Sequence, residues 1–193
     1  MFPLQRHQPY LIQGPELVAR IASFQKRLRE AGVDLAWIDH QADRFYFTGS
    51  IQDGTLLLPS DGDPHFFVRR SRSRAEQESP LPVRPFPGRR GLAAAAKELL
   101  PGGGRLGVSL DVTSAATYLW LQKQLPETEL VDITMPLKLQ KAVKTPWEQE
   151  QIRIASRKAT ALFDEIDQHL REGITELELS ASVEHRLRLL GHG

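Results

Sequence analysis

The sequence predicts an α/β domain, a mixed sheet flanked by helices, followed by a C-terminal helical pair. Three observations predict it. Strand-length apolar runs alternate with helical stretches over residues 81–133, the signature of parallel βαβ units. Upstream, two apolar runs flank Ser60-Asp61-Gly62-Asp63-Pro64. Asp-Gly is a strong hairpin turn, and a hairpin makes the sheet mixed. After residue 144, two capping boxes each open an apolar stripe at helical spacing.

Taken in order, Gln13-Gly14-Pro15-Glu16 opens a helix, because proline fits a first turn where its missing N–H has no partner to lose. Leu17, Ile21, Phe24 and Leu28 give that helix one apolar face, and Gly32 ends it. Leu35 to Asp39 reads as a short buried strand. A loop, His40 to Arg44, follows, and then Phe45-Tyr46-Phe47-Thr48-Gly49. Gly54 to Pro59 and His65 to Arg69 are the hairpin strands, with His65 half-buried. Ser71 to Ser79 is a short helix. Leu81 to Phe86 is a strand whose prolines fit a sheet edge or an irregular start. Gly91 to Leu100 is an Ala-rich helix, Arg105 to Leu110 a strand, Ser114 to Leu125 a helix and Glu129 to Ile133 a strand. The first domain therefore ends near residue 134, and 135–143 reads as a linker. Thr145-Pro146-Trp147-Glu148 then starts a long helix that runs to about Glu172, with Gly173 as its stop. Thr175-Glu176-Leu177-Glu178 starts the last helix, with Leu179, Val183, Leu187 and Leu190 as its stripe.

Composition excludes several classes. Lys and Arg total 25 and Asp and Glu 24, a net charge of +1 that gives no reason to expect nucleic acid or an anionic membrane. With no cysteine there is neither a disulfide framework nor thiolate chemistry, which fits a cytoplasmic protein. Met1 to Gly14 lacks the pattern of a signal peptide, and no apolar run approaches the ~20 residues needed to span a bilayer. Gly102-Gly103-Gly104 follows a helix and opens a strand, the reverse of a dinucleotide fingerprint, so it is a turn. The histidines His7, His40, His65, His169, His185 and His192 have no zinc-ligand spacing. Around His169, Asp164, Glu165 and Asp167 spread over a helix as a solvated surface. The Arg-rich run Arg69 to Arg74 has no interleaved aromatics for stacking on bases and reads as a solvated face with ion pairs.

Several strings resemble one family. Val143-Lys144-Thr145-Pro146-Trp147-Glu148 with Ile152-Arg153 and Ala155 is similar to the segment that opens the catalytic domain of prolidases and aminopeptidases P. Gly173-Ile174-Thr175-Glu176-Leu177-Glu178 resembles the start of the next helix there, and Leu190-Gly191 its end. Phe45-Tyr46-Phe47-Thr48-Gly49 resembles the Tyr-Leu-Thr-Gly string of the N-terminal domain, and Asp43 stands where relatives often carry Asn. The chain thus resembles the N-terminal, creatinase/prolidase-type domain of a pita-bread metallopeptidase. The resemblance covers the whole chain and implies a ribonuclease H-like topology over 1–134. It also implies the first two helices of a truncated catalytic domain over 144–193.

For function, the resemblance implies a parent Xaa-Pro dipeptidase or aminopeptidase that hydrolyses bonds next to proline. In such a parent two divalent metal ions (manganese, cobalt or zinc) activate a hydroxide. Their ligands in the family, two Asp, one His and two Glu, lie downstream of the matched segment. No catalytic or metal role therefore falls on any residue here, and the fragment alone is not an enzyme. The domain itself is implied to dimerise and to gate substrate through the loop after its first strand, here His40, Arg44 and Tyr46, with proline-containing peptides as ligands of the full-length protein. Tyr46 and Phe47 also fit as ordinary core residues. Two other readings stay open: a non-catalytic peptide- or protein-binding module of pita-bread type, and a relative that hydrolyses a non-peptide amide such as creatine.

Overall fold

A computed structural model describes residue 12 and residues 14–191. The readings on Gln13, His7, His192 and the rest of the two termini lie outside the described residues. The chain divides into two units, Met1–Val143 and Lys144–Gly193.

The first unit is a six-stranded mixed sheet with helices on both faces. In chain order its elements are α1 (Gly14–Glu30), β1 (Leu35–Ile38), α2 (Gln41–Thr48), β2 (Gly54–Pro59), β3 (His65–Val68), α3 (Arg72–Glu78), β4 (Val83–Pro85), α4 (Gly88–Leu99), β5 (Gly104–Val108), α5 (Ala115–Gln124), β6 (Thr128–Asp132) and α6 (Thr134–Ala142). The strand order is β4-β3-β2-β1-β5-β6. Both pairings of β2, to β1 and to β3, are antiparallel, and every other pairing is parallel. The proline-bearing β4 lies at the edge, where a missing N–H costs no ladder bond. The crossover through α5 joins the neighbours β5 and β6, but the one through α4 carries the chain from the β4 edge past β3, β2 and β1 to reach β5.

The side-chain period of two sorts the strands into two cores. Ala36, Ile38, Leu56, Leu58, Phe66 and Val68 face α1, α2, α3 and α6. Leu35, Trp37, Leu57, Phe67, Leu106 and Val108 face α4 and α5. Because β1 and β2 are buried on both faces, each reads in sequence as a continuous apolar run. Gly107 turns its missing side chain toward the first core, where a Cβ would come within 2.4 Å of the Ile133 side chain.

Two readings of the first unit need correction. His40 to Arg44 is not a loop but the start of helix α2, whose C-cap Gly49 sits at φ 73 and returns its N–H to Phe45. Residues 135–143, read as a linker, form α6, which lays Leu137 into the first core.

The second unit is a helical hairpin of α7 (Pro146–Asp164) and α8 (Glu176–Leu189). Both capping boxes form as the sequence predicts: the Thr145 and Thr175 hydroxyls accept from the amides of Glu148 and Glu178, whose side chains reach back to the Thr145 and Thr175 amides. Helix α7 ends at Asp164, not near Glu172. The chain tightens there into a single 3₁₀ turn, Ile166–Gln168, while Glu165 takes a two-pronged ion pair from Arg186 of α8 at 2.7 and 2.8 Å. His169 is accordingly not on a helix face; its Nδ1 lies 2.6 Å from the Ser182 hydroxyl.

Candidate functional site

The three residues singled out from sequence all fall on α2 or its N-cap, at the carboxyl end of β1. Arg44 is 3% exposed. Its Nε donates to the Gln52 carbonyl at 3.0 Å and its Nη1 to the carbonyls of Asp39 at 2.7 Å and Gly54 at 3.0 Å. A guanidinium suits this position because it is a rigid fork of donors that stays charged on burial. Burial lowers its pKa from the ordinary value, opposed by the nearby carboxylates of Asp53 and Asp39. Arg44 therefore ties the end of β1 to the start of β2.

Tyr46 is also buried and belongs to the first core. The Arg20 guanidinium lies 4.4 Å from its ring centroid, and Phe47 meets the ring edge-on at 4.9 Å. Its hydroxyl faces Gln140 of α6. Of the three, only His40 reaches solvent, with its side chain 41% exposed.

Behind His40 lies a carboxylate that the sequence reading had singled out only as a departure from the family's Asn. Asp43, its side chain 4% exposed, takes the His40 Nδ1 at 3.0 Å and also pairs with the Lys141 ammonium of α6. A carboxylate only accepts, so Nδ1 carries the proton. The outward Nε2 is then an acceptor in the neutral ring and a donor in the charged one. Such a histidine has a fixed orientation. The signal was legible in part: residues three apart share a helix face, so His40 and Asp43 pair once α2 is read as a helix. Lys141 is nearly a hundred residues away and no spacing announces it.

The remaining polar groups are used structurally. The Arg run is laced by the ion pairs Arg69–Asp53, Arg72–Glu76 and Arg74–Glu78, as its reading as a solvated face predicts. Glu78 also accepts from Ser50 and Gln52, which pins α3 to the segment before β2. His65 is half-buried on β3, and burial, aided by Arg84, lowers its pKa. Among the described residues no three His, Asp or Glu converge to hold a metal ion. No described helix is long and apolar enough to cross a membrane.

A six-stranded mixed sheet with this strand order and helices on both faces is the creatinase-type N-terminal fold, and the comparisons agree. Residues 20–143 match the creatinase/prolidase N-terminal domain. The chain belongs to that family. Its fold is similar to that of the Xaa-Pro dipeptidase from Bacillus anthracis, with a TM-score of 0.79 at 20% identity over 90% of this chain and 49% of that one. The prolidase from Pyrococcus furiosus gives 0.77 at 22% identity, covering 87% of this chain and 52% of that chain. The N-terminal domain of the cytoplasmic peptidase PepQ from Mycobacterium tuberculosis is matched over 98% of its length and 63% of this chain, at 26% identity and a TM-score of 0.57. The chain thus spans about half the length of the two whole peptidases. No curated protein matches its sequence.

Proposed function

We propose that this chain is the dimerising and substrate-gating domain of a cytoplasmic, metal-dependent Xaa-Pro peptidase, in which the full-length protein hydrolyses bonds next to proline. The observation that carries this reading is the family match over residues 20–143. Within the domain, the gating role falls on His40 alone. It is the exposed member of the predicted trio, and Asp43 holds its ring so that Nε2 faces outward. Arg44 and Tyr46 support the segment from inside.

The experiment is a comparison of kcat/KM for an Xaa-Pro dipeptide and a longer proline peptide in the full-length protein and its His40→Ala variant. The expected result is a changed ratio between the two substrates with the folded state intact. An unchanged ratio removes His40 from the gate. Absence of any cleavage next to proline in the presence of manganese, cobalt or zinc would sink the peptidase reading altogether.

A further inference from the structure

On the opposite side of the sheet from His40's helix lies a polar cavity of about 310 Å³, lined by Asp39, Asp53, Thr55, Arg69, Arg89 and Thr117. Its position follows from the topology. The chain leaves β1 for α2 on one face, and leaves the neighbouring β5 for α5 on the other. Connections that diverge between adjacent parallel strands open a crevice at their carboxyl ends, where open α/β sheets take ligands. Asp39 follows β1, Arg69 follows β3, and Thr55 opens β2 on the same end.

The walls are braced. The three carbonyls held by Arg44 belong to Asp39, Gln52 and Gly54. Asp39 and Gly54 line the cavity and Gln52 precedes Asp53. Each cavity arginine holds its guanidinium carbon over an aromatic ring, Arg69 over Phe86 at 4.6 Å and Arg89 over Trp120 at 4.4 Å. A guanidinium so held keeps N–H donors for a planar anion.

The lining carries two carboxylates and two guanidiniums, of which one of each is paired within it. Arg69 pairs with Asp53 at 3.6 Å. Among the described residues the Asp39 carboxylate takes no hydrogen bond or ion pair, and Arg89 has no carboxylate partner. Thr55, 4% exposed, lines the cavity, and its hydroxyl has no hydrogen-bond partner among the described residues. That hydroxyl opens onto the cavity and can donate to or accept from a ligand or water there.

The geometry points to a second ligand site here, one that takes a small zwitterion, a free amino acid or a dipeptide, by both of its charged ends. Arg89 receives the carboxylate, Asp39 the ammonium, and Thr55 a hydrogen bond from or to the backbone between them. A volume of this size is at the small end of ligand cavities, about 300–1,000 Å³, and fits molecules of that class. The inference rests on the cavity alone and holds whether or not the parent is a peptidase.

The test is a titration of the isotope-labelled chain, followed by backbone amide shifts, with proline, glycyl-proline and the N-acetyl and carboxamide form of each. A saturable response is expected around residues 39, 55, 89 and 117 with at least one of the two free zwitterions; which one responds separates the amino-acid from the dipeptide form. Blocking either end of the responding compound weakens binding about ten-fold or more, the worth of one charge-assisted hydrogen bond. Asp39→Asn and Arg89→Gln each do the same, while Glu129→Gln on β6 leaves binding unchanged. Both cavity substitutions are conservative in size, and an unchanged amide spectrum elsewhere reports that the fold survives. No saturable response to either free compound overturns the proposal. So does binding that survives N-acetylation, which leaves only a carboxylate site, or binding indifferent to both cavity variants.

Discussion

Residues up to Val143 bury two apolar clusters on opposite faces of one sheet, whereas from Lys144 onward the large apolar side chains are mostly half-buried or exposed. In the hairpin only Leu162 falls to 7% exposure among the described residues, while Phe163 stays 71% exposed and Leu177 81%. The first unit is specified by packing between residues far apart in sequence. The second is specified at its helix starts by two local capping boxes, joined by one longer-range ion pair, Glu165–Arg186. Tertiary burial carries most of a helix's stability in proteins, so the two units should respond to different substitutions.

The largest effect is expected in the first core. Phe47 is fully buried, with its ring centroid 4.9 Å from those of both Phe24 and Tyr46. Phe47→Ala should cost ~3–5 kcal/mol through lost burial and a residual cavity. Urea unfolding reads this directly, and a cost near zero would mean that the α1–α2 contact is not part of the cooperative core.

Next comes Arg44. Replacement by Met keeps the aliphatic bulk and strands the carbonyls of Asp39, Gln52 and Gly54, for a loss of ~1.5–3 kcal/mol. Lys should not rescue it, because a single ammonium cannot reproduce the fork. Rescue by Lys, measured by the same unfolding midpoint, would show that charge alone matters there.

A smaller and strictly local effect belongs to the hairpin. Thr145→Ala removes the hydroxyl that caps α7 and should cost ~1 kcal/mol of helix stability. Amide hydrogen exchange should speed in the first turn of α7 and stay unchanged in β1 and β2. Equal acceleration in the strands would break the division into two differently specified units.

The least effect is a pH dependence. Burial pushes the Glu78 carboxyl up, but donors from Ser50, Gln52 and Arg74 outweigh it and hold its pKa below the ordinary value. The unfolded chain is then protonated first as pH falls. Its stabilising contribution is full above the ordinary glutamate range, ~4.3, and disappears as pH drops through the lower folded value. The stability advantage of the native chain over Glu78→Gln should therefore shrink from pH ~6 to pH ~3; an advantage independent of pH would contradict the assignment.

The same division explains what was legible in the sequence. Both capping boxes and the Asp-Gly hairpin were readable because each signal lies within a few residues of its effect. Helix α2 was not. It buries Asp43, Arg44 and Thr48 beside Tyr46 and Phe47, so polar and apolar residues share its inner face and no period shows. Helix α6 buries Thr134 and Gln140 with Leu137 and hides for the same reason. The end of α7 was missed because Ile166 and Leu170 continue the helical spacing through a point where Arg186, some twenty residues on, draws Glu165 aside. At the site, His40 was singled out through the family resemblance, which puts a gating segment after the first strand. The roles of Arg44 and Asp43 depend on partners from other segments, Gln52 and Gly54 in one case and Lys141 in the other.

The strand order also has a consequence during synthesis. Strand β1 lies between β2 and β5, and β5 is not made until the chain reaches Val108. A nascent chain that has completed the β1–β2–β3 sheet therefore carries an open strand edge, apolar on both faces, for as long as it takes to translate α3, β4 and α4. Such edges recruit other chains. Products halted near the Gly102-Gly103-Gly104 turn should accumulate as aggregates, and extension by the few residues of β5 should return them to solution.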